Sequence, residues 1–235
     1  MSLRLAAVGF DSVDPAVVGT FWGKLLGRRI EQDAGGILLP GSSTQVGLRF
    51  VGATTEMTER NRLHLHVTSE SIDDQRQTVE TVLRLGGRRP GAKALPLGRV
   101  IYLNDPDGNE FCVTEPGNAY LAGCGYLGEV TCNGTRSAGL FWHQALDWVI
   151  VWDRGEEIAI QSPQGGTKVA WDTWTEGNGN GWNRQRFEVL ASDLPAEVER
   201  LVGLGATRVE KLGDVVRLVD PDGSEFLVRA GAPTS

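Results

Sequence analysis

One nine-residue stretch occurs twice in this chain, as Asp105-Pro106-Asp107-Gly108-Asn109-Glu110-Phe111-Cys112-Val113 and as Asp220-Pro221-Asp222-Gly223-Ser224-Glu225-Phe226-Leu227-Val228. Each copy follows an apolar run (100–103 and 215–219) and ends in another. Asp-Pro-Asp-Gly is turn chemistry: Pro presets φ, Asp hydrogen-bonds its own backbone, and Gly takes a positive φ. With apolar strands on both sides it is a β-hairpin signal. A hairpin signal that recurs points to duplication, and further half-matches follow. Asn61-Arg62-Leu63-His64-Leu65-His66-Val67 lines up with Asn183-Arg184-Gln185-Arg186-Phe187-Glu188-Val189, and Phe21-Trp22 with Phe141-Trp142. The offsets drift by a few residues, as loops of different length produce.

At 235 residues the duplication divides the chain into two domains of ordinary size. The division expected is 1–117, a linker at 118–124 signalled by Pro116, Gly117 and Gly123, and 125–235. Residues 3–10 form an apolar strand. Asp14-Pro15 then supplies an N-cap and first helical position, and Val17, Val18, Phe21, Trp22, Leu25 and Leu26 give a wide apolar helix face up to Gly27. Three short strands follow. A second strand starts at Arg62, a second helix runs from Ser71 to Leu85, and two strands flank the first turn motif. The second half repeats this course, so the pattern is α+β, with four βαβββ units in two tandem domains.

The net charge of −7, with Lys and Arg scattered along the chain, argues against sequence-independent nucleic-acid binding or an anionic membrane surface. No apolar run approaches a membrane span, and residues 1–10 lack the pattern of a signal peptide. Cys112, Cys124 and Cys132 are odd in number and form no C-x-x-C, which fits a reducing cytoplasm. The partner these exclusions leave is a small molecule. Duplication already places paired units in one chain, so a monomer is expected as readily as a homodimer.

Four βαβββ units closing on D-P-D-G-x-E-F resemble the vicinal oxygen chelate superfamily, which includes glyoxalase I, bleomycin-resistance proteins and extradiol dioxygenases. The chain is most similar to tandem glyoxalase-like domain proteins. The resemblance implies curled sheets enclosing a cavity in each domain. It also implies ligand slots for a metal on the first strand of each half-domain and after the turn. In this sequence those slots fall at Ala7, Leu127, His64, Arg186, Cys112 and Leu227. Only His64 and Cys112 among them are donors, fewer than Zn²⁺ or Fe²⁺ requires, so the inherited metal site is expected to be lost and no cofactor is expected.

Strand side chains alternate faces, so Arg62, His64, His66, Glu110 and Cys112 are expected to share a pocket in the first domain with Gly9 and Asp11. His64, His66 and Glu110 are the candidate catalytic residues. They suit general acid–base work, a relocated two-His-one-carboxylate metal, or simple hydrogen bonding of buried polar groups. Arg62 and Cys112 are candidate ligand contacts. In the second domain Arg186 is expected to face Glu225, either as an ion pair or as an anion clamp. Trp171, Trp174 and Trp182 flank a glycine-rich loop, where stacking on a planar ligand and sheet packing are both open. The function expected is binding of a small planar organic molecule, with acid–base chemistry in the first domain. A metal-dependent lyase, isomerase or dioxygenase and a drug-sequestering protein are the alternatives.

Overall fold

The computed structural model describes residues 3–53, 61–91, 97–173 and 184–231. Each half opens with a strand and a helix whose ends are written in the sequence. β1 (Leu3–Ser12) leads into α1 (Pro15–Leu26). Asp14 Oδ1 accepts the Val17 N–H at 3.1 Å, and Gly27 stops the helix at φ 63°. β8 (Leu127–Asn133) leads into α3 (Arg136–Leu146), capped by Thr135 and stopped by Asp147 at φ 54°. Both helices sit very close to their sheets. A Cβ on Gly19 would lie 2.4 Å from Ile37 Cγ2, and one on Gly139 would lie 2.2 Å from Ile158 Cγ2, so bare backbone at both positions permits the contact.

The first unit continues with β2 (Glu31–Asp33), β3 (Gly36–Leu39) and β4 (Gly47–Gly52). The second is β5 (Leu63–Val67), α2 (Ile72–Arg84), β6 (Ile101–Asn104) and β7 (Glu110–Val113). Here a single bridge from Arg88 to Asn104 stands where the other units have a further strand. The third adds β9 (Val149–Arg154), β10 (Glu157–Gln161) and β11 (Lys168–Asp172). The fourth is β12 (Gln185–Ala191), α4 (Leu194–Gly203), β13 (Thr207–Leu212), β14 (Val215–Val219) and β15 (Glu225–Ala230). Among the described residues, no helix is long and apolar enough to cross a membrane.

The strands form two open sheets, ordered β13-β14-β15-β12-β1-β4-β3-β2 and β6-β7-β5-β8-β11-β10-β9. Each sheet therefore joins one unit from the first half to one from the second. β1 runs antiparallel to β12, from Leu3 opposite Ala191 to Phe10 opposite Gln185, and β5 runs antiparallel to β8. This corrects the expectation that Gly9 and Asp11 share a pocket with His64: they lie on the other sheet, beside Arg186. Alternation fixes which face a side chain takes but leaves the partner strand open.

Within each half, the helices and aromatic side chains make the core. Trp22 packs on Phe111 with ring centres 4.8 Å apart, and Trp142 packs on Phe226 at 4.9 Å. The repeated turn is the tie between units of one half. Asp105 Oδ1 accepts the N–H groups of Asp107 and Asn109 at 3.0 and 2.9 Å. Its Oδ2 accepts the Asn109 amide at 2.9 Å and the Trp22 indole N–H at 3.0 Å. Asp220 repeats this with Asp222, Ser224 and the Trp142 indole, the last at 3.2 Å. Burial pushes both carboxyls up to about 6 against these donors.

Candidate functional site

Register across the seven-stranded sheet places Tyr102, Cys112, His66, Glu129 and Lys168 in one row on neighbouring strands. In the next row His64 stands opposite Thr131. The intervening residues Leu65, Phe111, Val130 and Val169 belong to the helix-side core, so both rows point to the face without helices. His64, Cys112, Glu129 and Lys168 are nonetheless buried. The surrounding strands and the 118–124 segment therefore close over them, forming a trough.

Each histidine has a carboxylate beside it. His64 Nδ1 is 3.6 Å from Glu110 Oε1, and its Nε2 is 3.1 Å from Cys112 Sγ. His66 Nδ1 is 3.4 Å from Glu129 Oε2, and its Nε2 is 3.3 Å from Thr131 Oγ1. Glu129 also accepts the Tyr120 hydroxyl at 2.6 Å and the Thr131 hydroxyl at 3.1 Å. Burial holds His66 down to about 4, so it is neutral at pH 7. His66 thus lies between the Thr131 hydroxyl at Nε2 and the Glu129 carboxyl at Nδ1. Burial raises Glu129, opposed by its hydrogen bonds to Tyr120 and Thr131 and by the charge of Lys168. Burial, with the charges of Glu110 and Glu129, pushes the Cys112 thiol well above its ordinary range. That thiol is a hydrogen-bond donor to His64 and a poor nucleophile.

The structure brings together His64, His66, Glu110 and Cys112, as the sequence predicts. It changes which of them would hold a metal: the donor atoms that lie within 4.8 Å of one another belong to His64, His66 and Cys112, in place of Glu110. Glu129, Thr131, Tyr120 and Lys168 were missed. The first-strand slot expected at Leu127 is a core position opposite Val67, because the ladder slips between His66 and Val67 and moves Glu129 onto the trough face. Gly128 inside the strand was the available sign of a bulge.

The eight-stranded sheet presents ion pairs on its equivalent face. Arg49 bonds Asp33 at 2.6 Å and Glu188 at 3.0 Å, and Arg229 approaches Glu188 at 3.4 Å. Arg186 takes Asp11 at 2.7 Å, while Glu225 lies 3.5 Å from Arg217. The expected Arg186–Glu225 pair is thus replaced, since β1 supplies a carboxylate next to Arg186 across the ladder. Arg62 reaches the other half's turn, donating to Ser224 Oγ at 3.2 Å. Arg62, Trp171, Arg186 and Glu225 line one cleft where the two halves meet. Trp171 is buried there, its ring 6.5 Å from that of Phe187. Trp174 and Trp182 lie outside the described residues.

Paired βαβββ units in open sheets with polar troughs define the vicinal oxygen chelate class of fold. The profile of the family described as "glyoxalase-like domain" matches residues 7–114 and 129–229, and the chain belongs to that family. Among solved structures, glyoxalase I from Zea mays superposes with a TM-score of 0.67 at 12% identity, over 97% of this chain and 92% of the other. A protein named as a dioxygenase from Bacillus subtilis gives 0.63 at 11% identity, over 97% and 85%. At such identities the likeness is one of fold. No curated protein sequence matches this chain.

Proposed function

We propose that this is a cytoplasmic glyoxalase-like protein that binds a small planar organic molecule in the seven-stranded trough and moves a proton there without a metal. The observation that carries the reading is the pairing of two imidazoles, His64 buried and His66 half-buried, each with its own carboxylate. Cys112 S–H occupies His64 Nε2, which leaves His64 Nδ1–H directed at Glu110. Glu110 is the more exposed of the two carboxylates, so its free oxygen is the base that meets a ligand C–H, and His64 orients it. The test follows deuterium uptake at acidic C–H positions of a panel of planar carbonyl compounds by NMR. Glu110→Gln is expected to lower the exchange rate about 100-fold while ligand affinity stays within about threefold. Exchange that persists in this variant rejects the assignment.

One observation favours a second reading, in which the trough holds a divalent ion. His64, His66 and Cys112 suit a borderline-soft metal, and Glu110 beside His64 has the place of the carboxylate that commonly supports a ligating imidazole. Tetrahedral donors lie about 3.4–3.7 Å apart, so the set spread within 4.8 Å would draw in by a small side-chain rotation. A bound ion would polarise a ligand carbonyl. Titration with Co²⁺ decides: a thiolate charge-transfer band that disappears in Cys112→Ser establishes this reading, and its absence at millimolar Co²⁺ removes it.

A further inference from the structure

Proton abstraction without a metal has one requirement that Glu110 and His64 do not meet. When Glu110 takes a proton from the carbon beside a carbonyl, the C–H electron pair becomes a C=C bond and the carbonyl π pair moves onto oxygen. That oxygen needs a hydrogen-bond donor aimed at it. The inner donors of the trough are already engaged. The Cys112 thiol is held by His64, the Tyr120 and Thr131 hydroxyls by Glu129, and the Lys168 ammonium by the Tyr120 carbonyl oxygen. The Tyr102 hydroxyl differs: it has no hydrogen-bond partner among the described residues. A phenol keeps its proton at pH 7 and so remains a donor.

Tyr102 also stands in the right place. β6 is an edge strand of the seven-stranded sheet, and its register sets Tyr102 opposite Cys112 and Asn104 opposite Glu110. Tyr102 and Glu110 are therefore diagonal neighbours on the trough face, a relation that puts Cα atoms roughly 7–8 Å apart. The Tyr102 ring meets His64 edge-on with centres 6.0 Å apart, and His64 is the imidazole that orients Glu110. Tyr102 is 44% exposed and the Glu110 side chain 38%, whereas His64, Cys112 and Glu129 are buried. A ligand lying along this open rim meets both groups and displaces no buried side chain. The oxygen of a carbonyl and the neighbouring carbon are two bonds apart, and contact at each end adds about 3 Å. Base and donor must then stand farther apart than one hydrogen bond, as a diagonal pair does.

We propose that Tyr102 is the oxyanion donor of this site, its O–H bonding the carbonyl oxygen of a ketone or aldehyde at the β6 rim while Glu110 removes the adjoining proton. The proton returns to carbon from Glu110, or a solvent deuteron does after exchange on the carboxyl, and nothing is oxidised. This deepens the metal-free reading and rests on it, and the experiment tells the two apart. The probe is 2-tetralone, a flat ketone with acidic C–H bonds, whose deuterium uptake is followed by NMR with EDTA present. Tyr102→Phe removes one exposed hydroxyl and leaves the ring in place. It is expected to lower kcat for exchange about 100-fold with KM within about threefold. For binding, 2-naphthol has the shape of the 2-tetralone enol, and naphthalene lacks its oxygen. Tyr102→Phe is expected to weaken 2-naphthol about fivefold or more and to leave naphthalene unchanged. A merely structural ring would move neither kcat nor the difference between the two compounds. Exchange by Tyr102→Phe at the unaltered rate, or 2-naphthol binding indifferent to it, overturns the proposal. If Glu110→Gln abolishes exchange in that case, the metal-free reading stands without Tyr102. If the unaltered protein exchanges 2-tetralone no faster than buffer, both fall.

Discussion

Across the eight-stranded sheet the central row reads Arg217, Leu227, Glu188, Ala7, Gly47. Across the seven-stranded sheet the same row reads Tyr102, Cys112, His66, Glu129, Lys168. In the first, charged side chains on both sides of the small residues Ala7 and Gly47 engage one another, so guanidinium and carboxylate balance within the protein. In the second, the groups near the centre are titratable, and Lys168 stands beside Glu129, whose carboxyl its charge helps hold down. Two troughs with one backbone plan have thus taken different electrostatic states. A self-paired set contributes to holding strands together, whereas the second row carries the imidazole, thiol and carboxyl groups that proton transfer needs.

The sharpest way to break this contrast is to remove the hub of the self-paired set. Glu188→Ala takes the carboxylate from half-buried Arg229 and leaves buried Arg49 with Asp33 alone, and a loss of about 3 kcal/mol is expected in urea unfolding. Glu129→Gln in the other trough keeps the hydrogen-bonding shape and is expected to cost about 1 kcal/mol. Equal losses would mean that the two troughs do not differ in structural role.

A smaller effect comes from pH. His66 is held down to about 4 in the folded protein, so its contribution is fully present above its ordinary value of 6.5 and is lost as pH falls from 6.5 toward 4. Asp105 and Asp220, raised to about 6 from 3.8, act in the opposite sense: they bind protons in the folded state first, and stability gains as pH falls through that window. His66→Asn removes only the first term. Below pH 6 its stability relative to the unaltered protein should rise by up to about 1.4 kcal/mol for each unit of acidification. A constant difference between pH 4 and 6.5 contradicts the buried neutral imidazole.

The smallest expected change is at the rim of the self-paired trough. Glu225 is partly exposed and 3.5 Å from Arg217, which also holds Glu210 at 2.8 Å. Glu225→Gln is expected to cost under about 1 kcal/mol. A loss as large as that of Glu188→Ala would extend the network to the rim.

The elements themselves were legible. Asp14, Ser71 and Gly27 mark helix ends by capping chemistry that depends on neighbouring residues alone, and the doubled Asp-Pro-Asp-Gly exposes the duplication. His64, His66, Glu110 and Cys112 gather as predicted because they sit at alternating positions on β5 and β7, which are adjacent. What the sequence hid is what depends on distant partners. Nothing local tells β1 to pair with β12, and so nothing assigned Asp11 to Arg186. Glu129 was concealed by a one-residue slip in a ladder, since such a slip exchanges the faces of every residue beyond it. Lys168 carried no motif, and its environment arises from Tyr120 in a segment the sequence presents as a linker.

The sharing of each sheet between halves also bears on how the chain is made. β1 is synthesised first, yet its antiparallel neighbour begins at Gln185, so its edge stays open while most of the polypeptide is still emerging from the ribosome. Pairing so remote in sequence is slow to form and leaves apolar strands unprotected in the interval. The inner edge of the first unit is therefore covered only by the fourth, and that of the second only by the third.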